Sequence, residues 1–286
     1  MNWKGFLIRV LLVAVAFPLF AVLIFLLPQL HHLGFNIVVV FATVTGAFEM
    51  AALFQKKKIP TSSILAPVLA AAFPIGAYLE VSGYLPGAWM GIWLPVAVGV
   101  LLMRAVFFRG GRRLTTVLAY ASSSVFTFFY PGFFLAWIVR FSGLPDPSLG
   151  IVLFLCLVFG NDMSAYLAGT LWGASTRLNL EVSPKKSIVG FAAGLLGSLI
   201  VVGLFALAVP GFPRFGIAGR LILGLCTGVT VILGDLLESG MKRSAGVKDS
   251  GGVIPGRGGM LDSIDSMLFT APLFYFYLLL AGGLAL

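Results

Sequence analysis

The stretch Ser239–Asp265 reads SGMKRSAGVKDSGGVIPGRGGMLDSID and stands between two long apolar runs, residues 215–238 and 261–284. Each run has the ~20 residues needed to cross the ~30 Å hydrocarbon layer of a bilayer. The stretch between them is polar and rich in glycine. Asp249, Asp262 and Asp265 lie inside it and Asp235 and Glu238 just before it, so five of the ten carboxylates fall within residues 235–265. Ionised groups are costly at a membrane, and a membrane protein that gathers them usually uses them. Carboxylates, cations and glycines together suit a cation-assisted phosphate site.

Beyond this island, the 286-residue chain is 59% hydrophobic and 10% charged, against ~25% charged in ordinary soluble proteins. The composition excludes a soluble domain and predicts an all-α, polytopic integral membrane protein. Nine apolar runs have spanning length, at 6–27, 34–54, 61–80, 87–108, 114–141, 148–172, 187–209, 215–238 and 261–284. The first is too long for a signal-peptide core and lacks a small-residue cleavage site, so it reads as a retained helix. The fifth carries Ser122-Ser123-Ser124 and Pro131 and is expected to kink. Turn signals separate the spans at His31-His32-Leu33-Gly34, at 82–87, at 143–147 and at Pro210-Gly211-Phe212-Pro213. Cys156 and Cys226 both fall in spans, so no disulfide framework is implied.

Lysine and arginine set the expected orientation. Sixteen lie on one side: Lys4, Arg9, Lys56, Lys57, Lys58, Arg104, Arg109, Arg112, Arg113, Arg177, Lys185, Lys186, Lys242, Arg243, Lys248 and Arg257. Only Arg140 and Arg214 fall in loops on the other side, with Arg220 inside the eighth span. The positive-inside rule then predicts a cytosolic N-terminus, a cytosolic island and an external C-terminus. The net charge of +9 therefore belongs to membrane topology, and nucleic acid is not an expected partner. Trp3, Trp89, Trp93, Trp137 and Trp172 lie near span ends and are expected as interface anchors. Residues 1–150 hold three carboxylates and 151–286 hold seven. The first half (spans one to five) is expected as transmembrane scaffold. The second (spans six to nine, with loop 239–265 on the cytosolic face) is expected as the catalytic region.

Within the island, Asp235 and Glu238 are three apart near the end of span eight, and Asp262 and Asp265 are three apart at the start of span nine. Residues three apart share a helix face, so the two acidic pairs are expected to face one another. Carboxylates at a helix C-terminus oppose the macrodipole, which points to a compensating cation. Facing hard oxygens suit Mg²⁺, which takes one or two carboxylates plus substrate phosphate oxygens. Gly251, Gly252, Gly256, Gly258 and Gly259 let backbone N–H groups approach a phosphate, and Lys242, Arg243, Lys248 and Arg257 can neutralise it. The blander alternative is a solvated loop in which these carboxylates pair with the basic residues.

A second polar stretch begins inside span six with Asn161-Asp162-Met163-Ser164-Ala165-Tyr166 and continues to Ser183-Pro184-Lys185-Lys186-Ser187. Asp162 within an apolar run is costly unless it faces a polar cavity. The lysines stand where span seven begins, and helix N-termini favour anions; the alternative is lysines facing anionic lipid. Glu49 is a further intramembrane carboxylate, either a proton relay or a structural hydrogen-bonded group, and the sequence does not choose. His31-His32 reads as exposed loop histidines rather than a metal site.

The island resembles the signature of the phosphatidate cytidylyltransferases, also called CDP-diacylglycerol synthases. The matching positions are Ser239, Lys242, Arg243, Lys248, Asp249, Ser250, Gly251, Pro255, Gly256, Gly258, Gly259, Leu261, Asp262 and Asp265. The upstream stretch is similar to two more family blocks, through Asp162, Ala165 and Tyr166 and through Ser183, Pro184, Lys186 and Ser187. Detailed resemblance covers about residues 160–266. The chain departs at Arg257 and Ser263, where the family usually has His and Arg, at Met163-Ser164, where Ser/Thr-Gly is usual, and at Ser187, which replaces Thr. Arg257 can hold phosphate but cannot act as a base near neutral pH.

The resemblance implies a membrane nucleotidyltransferase of phospholipid biosynthesis that converts CTP and phosphatidate to CDP-diacylglycerol and pyrophosphate. It implies a bacterial inner membrane with the active site on the cytosolic face. Asp235 and Asp262 are then the principal Mg²⁺ ligands, with Asp249 and Asp265 completing a site for one or two cations. Lys242 and Arg243 join these aspartates as catalytic residues, while Asp162, Ser183, Lys186, Ser239, Lys248, Gly251, Gly256, Arg257, Gly258 and Gly259 hold substrate. Membrane lipid is an implied partner, and a homodimer is among the implied assemblies. The rival readings are a CTP-dependent enzyme acting on a polyprenol, phytol or archaeal ether lipid, and an ion or organic-anion transporter. A transporter predicts inverted repeats and broken helices near the midplane, whereas no repeat stands out here and the charges cluster at one face.

Overall fold

The computed structural model describes Val15 and residues 17–107, 114–209, 211 and 216–281. Trp3, Lys4, Arg9, Arg109, Arg112, Arg113 and Arg214 lie outside the described residues, as do Pro210, Phe212 and Pro213 of one turn signal and most of the first apolar run.

The second to ninth apolar runs each correspond to a helix, as do the described residues 17–26 of the first, because in lipid a backbone can satisfy its own polar groups only that way or in a closed barrel. In chain order these are α1 (Phe17–Leu26), α2 (Gln29–Lys56), α3 (Leu65–Val81), α4 (Trp89–Phe107), α5 (Val117–Arg140), α6 (Pro147–Trp172), α7 (Ile188–Ala208), α8 (Ile217–Ser244) and α9 (Leu261–Ala281). Among the described residues seven helices are long and apolar enough to cross a membrane, while α1 and α3 are shorter apolar helices. Among the described residues no strand forms, only isolated bridges in loops. The chain is an all-α, polytopic membrane protein.

Several local expectations change. α2 opens with a left-handed turn at Leu30, His31 and His32 (φ 52°, 52° and 57°), which realises the turn expected there. Non-glycine residues pay ~1–2 kcal/mol each in that region. α5 runs through its serines without a break. Those serines serve the neighbouring loop instead, as Ser124 Oγ accepts from Ser62 N–H at 2.8 Å and Ser123 Oγ donates to Pro60 O at 2.6 Å. Trp89 and Trp137, expected as interface anchors, are buried. Arg140, expected in a loop, ends α5 and is buried. It donates to Glu80 Oε2 at 2.5 Å and lies over the Trp137 ring at 4.5 Å. Glu80 also accepts from Trp89 Nε1 at 2.9 Å.

The largest change concerns α8, which extends to Ser244, so the first six residues of the island are helical. Asp235 and Glu238 therefore lie inside the helix rather than at its C-terminal end. The last turn carries Lys242 and Arg243, whose charges suit the macrodipole.

The chain forms two compact units. One comprises Met1–Gly143 with Met241–Ile264, the other Leu144–Gly240 with Asp265–Leu286. In the first, α3 and α5 approach closely, since a Cβ on Gly132 would stand 2.9 Å from Ala70 O, and Phe73 stacks on Phe128 at 4.8 Å. In the second, small residues bring α6 and α7 together, as helices without a hydrophobic driving force require. A Cβ on Gly194 would meet Asn161 Oδ1 at 2.9 Å and one on Gly197 would meet Gly160 O at 3.0 Å. Asn161 donates to Ser198 Oγ at 3.0 Å, and Thr230 of α8 bonds Thr270 of α9 at 3.1 Å.

Candidate active site

In the first unit the site is built on the start of α9. The first amides of a helix have no intrahelical acceptor, and here two carboxylates take them. Asp262 Oδ2 accepts from Gly259 N–H at 2.7 Å, Ser250 N–H at 2.9 Å and Ser250 Oγ at 3.0 Å. Its other oxygen, Oδ1, accepts from Lys242 Nζ at 2.5 Å, with the Asp262 side chain 7% exposed. Glu49, from α2, accepts from Met260 N–H at 2.9 Å, Leu261 N–H at 2.8 Å and Ser250 Oγ at 2.9 Å. Of the two readings open for Glu49, the structure selects the hydrogen-bonded one.

This arrangement explains two island glycines differently from the sequence reading. A Cβ on Gly251 or Gly259 would run into the Glu49 carboxylate, so both make room for a side chain. Pro255 and Gly256 form a tight turn instead: Arg257 N–H donates to Ile254 O at 3.1 Å, and Gly256 has φ +75°. That φ is what a type II turn needs at its third position. The turn leaves Arg257 exposed near its tip. Gly258 (φ +116°) lies so close that a Cβ would meet Asp262 Oδ2 at 2.6 Å and Asp249 Cβ at 3.3 Å.

Other predicted residues lie on the surface of this unit. Arg243, Lys248 and Asp249 are exposed, and Arg243 Nη1 reaches Val247 O at 3.5 Å. An apolar recess of about 120 Å³ lies nearby, lined by Met50, Leu53, Phe54, Lys57, Met241 and Ala245 among others.

In the second unit, Lys186 Nζ donates to Asp235 Oδ2, and Ser239 Oγ donates to Asp235 Oδ1 at 3.3 Å. Lys186 is placed by a tight loop: Leu178 N–H donates to its carbonyl at 2.9 Å, and its own N–H donates to Ser183 O at 3.2 Å. The next residue, Ser187, caps α7 by accepting from Gly190 N–H at 3.1 Å. Asp265 Oδ1 accepts from the N–H of Ser266 at 2.6 Å, Asp162 is half-buried on α6, and Glu238 is buried on α8.

In each unit one aspartate thus presents one oxygen to a lysine and has its other oxygen held by neutral donors. Asp262 is paired with Lys242 of the island and Asp235 with Lys186 of the upstream loop. Among the described residues no group of three or more His, Cys, Asp or Glu is gathered for a metal ion. The donor set nonetheless fits a hard divalent cation of the Mg²⁺ type, which takes one or two carboxylates and completes its shell with water and phosphate. Asp262 Oδ1 and Asp235 Oδ2 are hard oxygens that each accept from a flexible lysine ammonium.

Comparison with known proteins bears on what this arrangement serves. A phosphatidate cytidylyltransferase of Synechocystis sp. is 48% identical over 136 residues, covering 48% of this chain and 45% of that protein. One of Thermotoga maritima is 39% identical over 163 residues, 56% of this chain and 58% of its own length. The chloroplastic phosphatidate cytidylyltransferase 5 of Arabidopsis thaliana is 31% identical over 210 residues, 65% of this chain and 51% of that protein. The chain spans about half the length of the curated relatives it matches. A model described as the cytidylyltransferase family matches residues 7–281, and the chain belongs to that family.

Proposed function

We propose that this chain is a phosphatidate cytidylyltransferase, transferring a cytidylyl group from CTP to phosphatidate to give CDP-diacylglycerol and pyrophosphate. The observation that carries the proposal is the Asp262 cradle. One carboxylate oxygen is fixed by the Ser250 and Gly259 amides and the other is held by Lys242. A carboxylate held so that one oxygen faces an exchangeable cation suits nucleotide triphosphate chemistry. Family membership and the printed names of the relatives favour this lipid over a polyprenol, phytol or ether lipid.

Asp262 and Asp235 are the proposed principal cation ligands, with Asp249 and Asp265 contributing. Mg²⁺ is the proposed ion; when bound it would neutralise triphosphate charge and help orient the α-phosphorus. Lys242 and Lys186 would turn toward phosphate oxygens, with Arg243, Lys248 and Arg257 at the exposed rim. Ser183, Ser239, Asp162 and the turn glycines Gly256 and Gly258 complete the proposed substrate contacts. In the reaction a phosphate oxygen of phosphatidate forms a bond to the α-phosphorus of CTP. The bond from that phosphorus to the bridging oxygen breaks, and its electron pair leaves on pyrophosphate. An ionised phosphatidate is already nucleophilic, so these residues position and neutralise, and no side chain need act as base.

We place the island in the cytosol of a bacterial inner membrane, from the distribution of lysine and arginine. The N-terminal helices act as scaffold. The apolar recess beside Lys57 is the candidate for the first carbons of an acyl chain. The test is a lipid panel with purified protein in mixed micelles: CTP with phosphatidate, polyprenyl phosphate or phytyl phosphate. Nucleotide-lipid product with phosphatidate is expected. Preference for an isoprenoid phosphate would replace this reading.

A further inference from the structure

We propose that Glu49 is a positioning residue for Asp262, a role that rests on the proposed function in which Asp262 meets the cation. Glu49 stands 201 positions from Ser250 in sequence and is 7% exposed. A buried carboxylate needs hydrogen-bond partners, but any donors would meet that need. Those of Glu49 all come from the segment that grips Asp262. Ser250 donates its hydroxyl to Glu49 Oε2, while its N–H goes to Asp262 Oδ2. Met260 and Leu261, whose amides bond Glu49, directly follow Gly259, whose amide bonds Asp262.

The Ser250 hydroxyl sharpens the argument. It has one proton and two carboxylate acceptors, Glu49 Oε2 at 2.9 Å and Asp262 Oδ2 at 3.0 Å. The Glu49 charge therefore competes for that proton and sets how many hydrogens Asp262 Oδ2 receives. By fixing three groups around Oδ2, Glu49 aims Oδ1 toward Lys242 and the cation position. It also accounts for Gly251 and Gly259, where a Cβ would displace its carboxylate.

Glu49→Gln keeps the volume but removes one acceptor and the charge. Outer-shell partners of a metal ligand are typically worth ~10–100-fold in metal affinity or activity. The Mg²⁺ concentration for half-maximal turnover should rise ~10-fold and kcat should fall at least ~10-fold, with KM for phosphatidate within ~2-fold. Independently of activity, hydrogen–deuterium exchange of the Met260 and Leu261 amides should accelerate at least ~10-fold. Ser250→Ala, should Glu49→Gln fold poorly, keeps both amides on Glu49 and should leave their exchange slow while still raising the Mg²⁺ requirement. Unchanged exchange in Glu49→Gln overturns the anchor. Faster exchange with an unchanged Mg²⁺ requirement and kcat overturns the positioning role and leaves Glu49 as fold support. A wild-type protein that makes no nucleotide-lipid product refutes the proposed function, and the exchange comparison then still decides the anchor.

Discussion

Asp262→Asn is the most demanding perturbation of this site because its effects on stability and on turnover separate. The carboxylate takes two backbone N–H groups and the Ser250 hydroxyl on one oxygen and Lys242 on the other. The amide oxygen of asparagine can still accept the N–H groups, but its NH₂ must then face the Lys242 ammonium, donor against donor. The two side chains are 13% and 7% exposed, and removing one partner of so buried a pair costs ~3–5 kcal/mol. At the lower end this lowers the melting temperature by ~6–12 °C. Loss of a cation ligand should reduce turnover at least ~10²-fold, about 2.7 kcal/mol of transition-state stabilisation. Adding Lys242→Met removes the ammonium that the asparagine NH₂ would face, while the asparagine oxygen still accepts the Ser250 and Gly259 N–H groups. The double variant should regain most of the lost thermal stability and none of the turnover. The assay pairs thermal unfolding in detergent with initial rates of labelled-lipid formation. Turnover in Asp262→Asn within ~3-fold of wild type would refute the ligand assignment, and an unchanged melting temperature would refute the energetics of the pair.

Glu80→Gln leaves Arg140 buried without its counter-charge. Because Glu80 is 21% exposed, the loss should be nearer ~2 kcal/mol than the full buried-pair cost, read as a lowered melting temperature with turnover per folded molecule unchanged. Gly259→Ala drives a Cβ into Glu49 and Ser250 and should cost ~1–3 kcal/mol. Gly252→Ala, with nothing within 4 Å of its Cβ, should melt like wild type; equal melting of the two variants would contradict the Glu49 packing. Ser250 is buried and would be a poor topology reporter, whereas Arg257 is exposed. In a background lacking Cys156 and Cys226, Arg257→Cys should react with an impermeant thiol reagent in inside-out vesicles and not in intact cells, and the opposite pattern would reverse the orientation.

The helices were legible because a run of apolar residues long enough to cross a bilayer has few other outcomes. α8 was misjudged at its end because Ser239, Lys242 and Arg243 look like loop residues by hydropathy. A helix can continue past its apolar stretch, and basic residues in the last turn are themselves a C-terminal signal. The roles of Lys186 and Lys242 as partners of Asp235 and Asp262 were only half legible. Basic residues near the carboxylates make charge pairing readable in the sequence, but which lysine meets which aspartate depends on packing. Glu49 illustrates what a linear pattern omits, since its partners lie more than two hundred residues away. The available signal was a lone carboxylate within the apolar run of α2, whereas the reason for Gly251 and Gly259, room for its side chain, shows only in the packing. Buried Arg140 was misread as a loop cation because Glu80, its partner, is 60 positions away.

The central claim, cytidylyl transfer from CTP to phosphatidate, is tested most directly by following the phosphates separately. Purified protein in phosphatidate micelles would receive CTP labelled at either the α- or the γ-phosphate, with Mg²⁺ or with excess chelator. The account predicts that the α-label enters the lipid phase, that the γ-label appears as aqueous pyrophosphate in equal amount, and that chelator abolishes both. Entry of the γ-label into lipid, or transfer that persists in chelator, would contradict it.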